Sequence, residues 1–115
     1  MREIKFRGKR VDNGEWVYGY FTKNNKFWIG SFAFGSYYPL EVHPETVGQY
    51  TGLKDKNGVE IYEDDVVKYQ HISSIDLRTG IVKYDNKDSS FEINLTSFLF
   101  IYNSNLEITG NIHDK

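Results

Sequence analysis

The stretch Asp12-Asn13-Gly14-Glu15-Trp16-Val17-Tyr18-Gly19-Tyr20-Phe21 indicates the fold class. Asp-Asn-Gly supplies residues that accept positive φ, which is the chemistry of a tight turn between two strands. After the turn the chain alternates, with Trp16, Tyr18 and Tyr20 on one side. A period of two is typical of a half-buried strand. Because Gly19 adds no side chain to the other side, we expect the aromatic face to pack in the core.

The flanking sequence extends this pattern in both directions. Residues Glu3 to Arg7 also alternate, which predicts the first arm of a hairpin. Residues Phe27 to Phe34 are apolar at odd and even positions around Gly30. A strand of this kind is typically covered on both sides, so we expect the domain or a partner to cover it.

The second half of the chain contains short strand-like runs separated by turn residues, a pattern typical of a small barrel. We therefore predict a mainly β protein with at most short helices, in which an aromatic-rich N-terminal sheet precedes a small SH3-like β-barrel. We expect one compact unit over residues 1–115, with a soft division near 52–58 between residues 1–52 and 59–115. The runs are Val66 to Gln70, Gly80 to Tyr84, Phe91 to Leu95, Phe98 to Tyr102 and Leu106 to Ile112.

Composition supports the same class and excludes several functions. The 115 residues include ten Ile and eight Val against six Leu and one Ala, and branched side chains suit a sheet. Fourteen Lys and Arg against sixteen Asp and Glu give a net charge of -2, which excludes a generally basic nucleic-acid coat. The lack of Cys excludes disulfides and thiolate chemistry. With no apolar run of about 18 residues and no apolar signal core, we expect a cytoplasmic protein.

No arrangement of residues indicates catalysis. His43, His71 and His113 are too far apart in sequence to form the paired spacings of metal ligands. The glycine patterns that cradle phosphate and the Gly-x-Ser-x-Gly nucleophile turn are absent from the sequence. We therefore predict no catalytic residue, no cofactor and no metal site.

Five segments carry recognisable patterns: Arg2-Glu3-Ile4-Lys5-Phe6-Arg7-Gly8-Lys9, Gly14-Glu15-Trp16-Val17-Tyr18-Gly19-Tyr20, Val47-Gly48-Gln49-Tyr50-Thr51-Gly52-Leu53-Lys54-Asp55-Lys56-Asn57-Gly58, Ile61-Tyr62-Glu63-Asp64-Asp65-Val66-Val67 and Gly80-Ile81-Val82-Lys83-Tyr84. In this order they resemble the YopX family of phage and prophage proteins. Its members open with (R/K)-(E/D)-I-K-F-R-G and carry Q-(Y/F)-T-G-L-x-D-K-x-G-x-x-I-Y-E-G-D. The resemblance implies a mostly β, two-part fold in a phage or bacterial cytoplasm, with no established activity and no agreed catalytic residues.

Two positions depart from the family pattern. Asp64 stands where the family segment usually has Gly, so we expect Asp64 to hold a turn of positive φ. The C-terminus usually reads Gly-Asn-Ile-Tyr-Glu-Asn, whereas this chain ends Gly110-Asn111-Ile112-His113-Asp114-Lys115. We expect a contact of the tail to differ in consequence.

Our first hypothesis is a non-enzymatic phage or prophage accessory protein that self-associates and acts by binding. An apolar stretch too large for a small chain to cover is a surface for another copy or for a host or phage protein. The predicted contact residues are Phe27, Trp28, Phe32, Phe34, Tyr37 and Tyr38.

Two alternatives differ in chemistry. One is a small binder of single-stranded nucleic acid, since small β-barrels stack bases on aromatic rings beside cations. It would use an aromatic such as Trp28 together with Arg2, Lys5, Arg7, Lys9 and Arg10. The other is a metal-assisted enzyme built on Glu60, Glu63, Asp64 and Asp65, although these carboxylates also suit a turn that enters the strand at Val66.

Overall fold

Antiparallel strands dominate the computed structural model, which describes residues 5–33, 35–87, 89–94 and 96–114 and, at 32, 33, 99 and 103, the backbone only. The mainly β class predicted from the sequence is confirmed. The chain divides into two compact units, Met1–Tyr50 and Thr51–Lys115. Within the described residues the only helical segments are three-residue 3₁₀ turns.

The first unit is a series of hairpins, as the alternation of its sequence predicts. Its strands lie side by side in the order β4-β3-β2-β1-β5, and all the described pairings are antiparallel. Gly14 and Asn25 have φ of 73° and 60° in the turns that flank β2. Residues that tolerate positive φ are what such turns require. The strands are β1 (Phe6–Lys9), β2 (Trp16–Asn24), β3 (Lys26–Ala33), β4 (Ser36–Val42) and the start of β5 (Gly48–Lys54).

The second unit holds a five-stranded antiparallel sheet in the order β10-β9-β8-β7-β11, and β6 lies beside the end of β5. The apolar run from Phe98 to Tyr102 is a 3₁₀ turn (Phe98–Phe100) followed by a single bridge at Ile101, not the strand that its composition suggested. The strands are β6 (Glu60–Tyr62), β7 (Asp65–Gln70), β8 (Leu77–Asp85), β9 (Ser90–Ile93), β10 (Thr96–Ser97) and β11 (Glu107–Asn111).

A closed barrel is not found among these described strands. The pairing places β10 and β11 at the two edges of the five-stranded sheet. A register shift between Ile108 and Gly110 marks an irregularity where β11 pairs with β7. An irregularity of this kind locally increases the twist of a strand. The sheet is therefore open, and the SH3-like detail stays a prediction.

Each unit has its own apolar core. In the first unit Phe21 contacts both Phe6 and Phe27, with ring centroids 5.4 and 5.3 Å apart, and Ile29 and Val42 are buried. In the second unit one cluster of buried side chains joins the sheet to β6 and to the 3₁₀ segments. Its members are Ile61, Val67, Tyr69, Val82, Phe91, Ile93, Ile101 and Leu106.

The expectation that Trp16, Tyr18 and Tyr20 pack in the core is wrong. Tyr18 and Tyr20 are 50% and 54% exposed, and Trp16 is half-buried. The core lies on the opposite face of β2, where Phe21 packs between Phe6 and Phe27. Gly8 of β1 pairs with Val17 on that face, and a Cβ at Gly8 would lie only 3.0 Å from the Cβ of Val42, so glycine there permits close packing.

Candidate functional site

The outer face of the first unit combines basic and aromatic side chains. Direct partners across antiparallel strands share a face, and β1 pairs Arg7 with Tyr18 and Lys9 with Trp16. Residues two apart on one strand also share a face. The set so defined, the cation–aromatic face, comprises Lys5, Arg7, Lys9, Trp16, Tyr18 and Tyr20.

Contacts on this face hold its cations against aromatic rings. The Arg7 guanidinium carbon lies 4.4 Å from the centroid of the Trp16 ring, and Lys9 Nζ lies 5.3 Å from the same centroid. Lys5 Nζ lies 5.5 Å from the centre of the Tyr50 ring. Arg7 is only 6% exposed, whereas Lys5 and Lys9 are half-buried. Arg7 therefore supports the Trp16 ring from beneath, and the two lysines bring charge nearer to the solvent.

A groove continues the same face farther along β2. It has a volume of 260 Å³ and is lined by Thr22, Asn24, Trp28, Tyr37 and Pro39. Trp28 pairs with Thr22 across β2 and β3, which places it on the cation–aromatic side of the sheet. We call these five residues the aromatic groove.

Hydrogen bonds fix both rings of the aromatic groove. The Trp28 indole donates from Nε1 to the backbone carbonyl of Asn24 at 3.2 Å. The Tyr37 hydroxyl donates to the carbonyl of Tyr20 at 2.9 Å and lies 3.2 Å from Thr22 Oγ1. Rings held in this way lose little conformational entropy when a ligand packs against them.

The structure separates the contact residues that the sequence predicted. Trp28 and Tyr37 line the aromatic groove, but Phe27 points to the other face, where it packs against Phe21. Tyr38 is exposed on that second face. Phe34 lies outside the described residues, as does the side chain of Phe32.

The predicted basic patch is likewise only partly assembled. Lys5, Arg7 and Lys9 share the cation–aromatic face, while Arg2 lies outside the described residues. Arg10 forms a two-bond ion pair with Asp12, at 2.9 and 2.7 Å. The carboxylate of Asp12 accepts these bonds, and they are the first cause of its lowered pKa. Arg10 therefore belongs to a local pair on an exposed turn.

Charge is distributed unevenly along the chain. Residues 1–50 carry seven Lys and Arg against five Asp and Glu, for a net charge of +2. Residues 51–115 carry seven against eleven, for a net charge of -4. The overall charge of -2 therefore conceals a first unit of the opposite sign, which is the unit that presents the aromatic rings.

The acidic residues of the second unit serve separate structural contacts. Asp65 is buried and accepts a hydrogen bond from the backbone N–H of Tyr62 at 2.8 Å. Glu60 accepts one from the Tyr62 hydroxyl at 3.1 Å. Glu63 and Asp64 form the turn between β6 and β7. In the part of the chain that the structure describes, no group of three His, Asp or Glu side chains has a metal-binding arrangement.

The two departures from the family pattern meet in space. Asp64 has φ of 72°, which confirms the expected turn of positive φ. Its carboxylate accepts a hydrogen bond from Lys83 Nζ at 2.6 Å and lies 2.9 Å from His113 Nε2. Partial burial acts to raise the pKa of Asp64, but the bonds from Lys83 and His113 outweigh it and hold that pKa below its ordinary value. His113 thereby ties the tail to the Asp64 turn.

The other two histidines make local contacts. His43 Nδ1 lies 3.9 Å from Glu45, and both side chains are exposed. His71 Nδ1 lies 2.7 Å from Ser73 Oγ and accepts the backbone N–H of Ser73 at 3.0 Å. The same nitrogen serves a backbone turn, and the ring stacks on Phe100 at 6.0 Å. These contacts stabilise the loop that holds His71 and Ser73.

Sequence reasoning missed one exposed apolar surface. The segment between β7 and β8 looks polar, yet Ile75 within it is 92% exposed. The backbone N–H of Ile72 donates a hydrogen bond to the carbonyl of Phe100 at 2.9 Å. This bond brings the segment around Phe100 close to the segment between β7 and β8. The spacing of Ile72, Ile75 and Leu77 among the polar residues was the available signal. The exposed apolar residues of these two segments are Ile72, Ile75, Leu77, Phe100 and Tyr102.

Among the described residues, no helix has the length and the hydropathy needed to cross a membrane.

A crystal structure of protein EF1440 from Enterococcus faecalis is similar to this chain, with a TM-score of 0.59 and 21% sequence identity. The match covers 98% of this chain and 95% of the other, and at this identity it shows the fold alone. No match was found among curated proteins. The YopX protein family matches residues 5–115, essentially the whole length, and the chain therefore belongs to the YopX family.

Proposed function

We propose that the protein is a non-enzymatic binding module and that its cation–aromatic face binds single-stranded nucleic acid. One observation carries the proposal: Lys5 and Lys9 lie on the same face of the sheet as the exposed rings of Tyr18 and Tyr20, and Arg7 is buried on that face. The alternation of β2 had predicted that these rings lie in the core. With both on one face, the surface has the two components that a single strand requires.

The aromatic component supplies most of the expected affinity. A base stacked on an aromatic ring is worth about 1–3 kcal/mol, and stacking tolerates any base. Tyr18 and Tyr20 are two residues apart on β2, so roughly 7 Å of strand separates them. Because each ring is about half exposed, each has area available for a base without rearrangement of the fold.

The basic component makes the interaction dependent on salt. Lys9 lies beside the half-buried Trp16 ring, while Lys5 lies against the buried ring of Tyr50. Both lysines keep exposed area that a phosphate can approach. Each phosphate that a lysine neutralises adds about 0.7 to the slope of log K against log salt for a single strand. The net charge of +2 on residues 1–50 favours such a ligand, whereas the net charge of -4 on residues 51–115 does not.

Anisotropy of a labelled oligonucleotide tests the proposal, with titrations at several salt concentrations. Tyr20→Ala is the decisive variant, and Tyr38→Ala is its matched control, because both tyrosines are 54% exposed and they lie on opposite faces. We expect Tyr20→Ala to weaken binding roughly 5- to 150-fold and Tyr38→Ala to leave it unchanged. Lys9→Ala should lower the salt slope by about 0.7. Absence of binding at low salt, or equal losses in the two tyrosine variants, would overturn the proposal.

A second candidate is self-association through the opposite face of the first unit. Tyr38 and Leu40 of β4 are exposed there. Exposed apolar side chains favour burial against another copy or against a host or phage protein. Light scattering at several protein concentrations tests it: a stable multiple of 13.5 kDa that Tyr38→Ala abolishes supports it, and a monomer throughout contradicts it.

The wider setting is part of the same proposal. An accessory protein of a phage or prophage, acting in the cytoplasm of the bacterial host, is the role that membership of the YopX family supports.

A further inference from the structure

The aromatic groove continues the face to which the proposed function assigns nucleic acid. Along β2 the residues of one face are Trp16, Tyr18, Tyr20, Thr22 and Asn24. The first three belong to the cation–aromatic face and the last two line the groove. A strand that stacks on Tyr18 and Tyr20 and follows β2 therefore reaches the groove next.

The groove has the size and lining for a single ring system. Its 260 Å³ lies just below the range of about 300–1,000 Å³ that is typical of sites for drug-sized ligands. Trp28 and Tyr37 provide flat surfaces, and Pro39 closes the apolar lining. Thr22 and Asn24 add polar groups at its edge, the kind of groups that bond the edge of an unstacked base.

Bonds within the groove prepare it for such a ligand. Trp28 is held by the carbonyl of Asn24, and Tyr37 by the carbonyl of Tyr20. The second bond joins the groove directly to the strand that carries the exposed tyrosines. The rings therefore keep their positions before a ligand arrives, which reduces the entropy lost on binding.

We propose that the aromatic groove is a subsite for one unstacked nucleobase of the bound single strand. This inference rests on the proposed function, since the same strand occupies both regions. It adds a definite place for one base, whereas the cation–aromatic face accepts any stacked strand.

Fluorescence separates the two regions, because the chain has two tryptophans, Trp16 on the cation–aromatic face and Trp28 in the groove. Trp16→Phe leaves Trp28 as the only tryptophan and does not alter the groove. Trp28→Phe is the matched variant that reports from Trp16. The probes are a short abasic oligonucleotide and the same molecule with one adenine restored, and circular dichroism checks that each variant is folded.

We expect the restored adenine to quench Trp28 in the Trp16→Phe protein and to raise affinity roughly tenfold or more over the fully abasic probe. Tyr37→Ala should remove that gain while leaving the weaker, salt-dependent binding of the abasic probe. If an ordinary oligonucleotide binds but Trp28 does not respond to the restored base, the groove inference is wrong and the proposed function stands. If wild-type protein binds no oligonucleotide at low salt, both are wrong.

Discussion

Replacement of Asp55 by Asn tests how the second unit is held together. The Asp55 carboxylate is buried and accepts three backbone N–H groups. Its Oδ1 atom accepts those of Asn57 at 2.9 Å and Val59 at 3.0 Å, within its own turn. Its Oδ2 atom accepts that of Ile108 at 3.1 Å, in β11. One side chain therefore closes a turn and also attaches it to a distant strand.

The expected cost follows from the number of acceptors. An Asn oxygen can keep the two bonds within the turn, but its NH₂ group then faces the N–H of Ile108. A buried N–H left without an acceptor costs about 1–3 kcal/mol, and the two remaining bonds lose the assistance of a charge. We therefore expect Asp55→Asn to lower the free energy of unfolding by about 2–3 kcal/mol, which corresponds to a melting temperature roughly 10 °C lower for a cooperative chain of this length.

The pH dependence of stability gives this prediction a second test. Burial acts to raise the pKa of Asp55, but the backbone N–H groups of Ile108, Val59 and Asn57 outweigh it and lower that pKa. A carboxyl with a lowered pKa stabilises the fold above its unfolded value, near 4, and this stability is lost as the pH falls through the folded value. The gap between wild type and Asp55→Asn should therefore be full at pH 7 and should shrink below pH 4.

Urea denaturation followed by circular dichroism measures both effects. Asp85→Asn is the matched control, because Asp85 Oδ1 accepts a single turn N–H, that of Lys87 at 2.9 Å, and Asn can accept it equally well. The control should change stability by less than about 1 kcal/mol. Equal stability of Asp55→Asn and wild type at pH 7, or a gap that stays constant down to pH 2, would refute the assigned role of the carboxylate.

Three further predictions concern packing and charge. Ile29→Ala, at a site with no exposed area, should destabilise the fold by about 2–5 kcal/mol in urea, and a loss below 1 kcal/mol would mean that the site is not packed. Gly80→Ala should cost about 1–3 kcal/mol, because the new Cβ would lie 2.6 Å from Cγ2 of the buried Ile93, and an unchanged denaturation midpoint would contradict that contact. Asp64→Asn keeps a residue that tolerates positive φ but loses the ion pair with Lys83. Since the pKa of Asp64 is lowered, wild type should lose its advantage in stability over this variant as the pH falls below about 4. Urea denaturation of both proteins from pH 7 to pH 2 measures this, and a difference in stability that stays constant over that range would contradict the prediction.

The sequence predicted local structure better than it predicted which face is buried. Turn residues such as Gly14 and the alternation of β2 were sufficient to place the first hairpin. The choice of face depended on what packs against it, and that information lies in Ile29 and Val42, which belong to β3 and β4. A period of two identifies two faces without saying which one is covered. The aromatic groove could not be predicted from the sequence for the same reason, because Trp28 and Tyr37 are brought together only by the pairing of three strands.

The residues that carry the family resemblance divide into two groups with different explanations. In the segment from Gln49 to Asp65, the fold itself accounts for two acidic positions: Asp55 and Asp65 are buried and accept hydrogen bonds from backbone N–H groups. The segments around β1 and β2 are different, because Tyr18 and Tyr20 lie half exposed on the face away from the core. A stable sheet does not require aromatic rings exposed to solvent. Exposed rings beside cations are, however, what a single-stranded nucleic acid binds. Tyr18 and Tyr20 are therefore positions of the family pattern that the core does not use, and our proposed ligand site lies on their face.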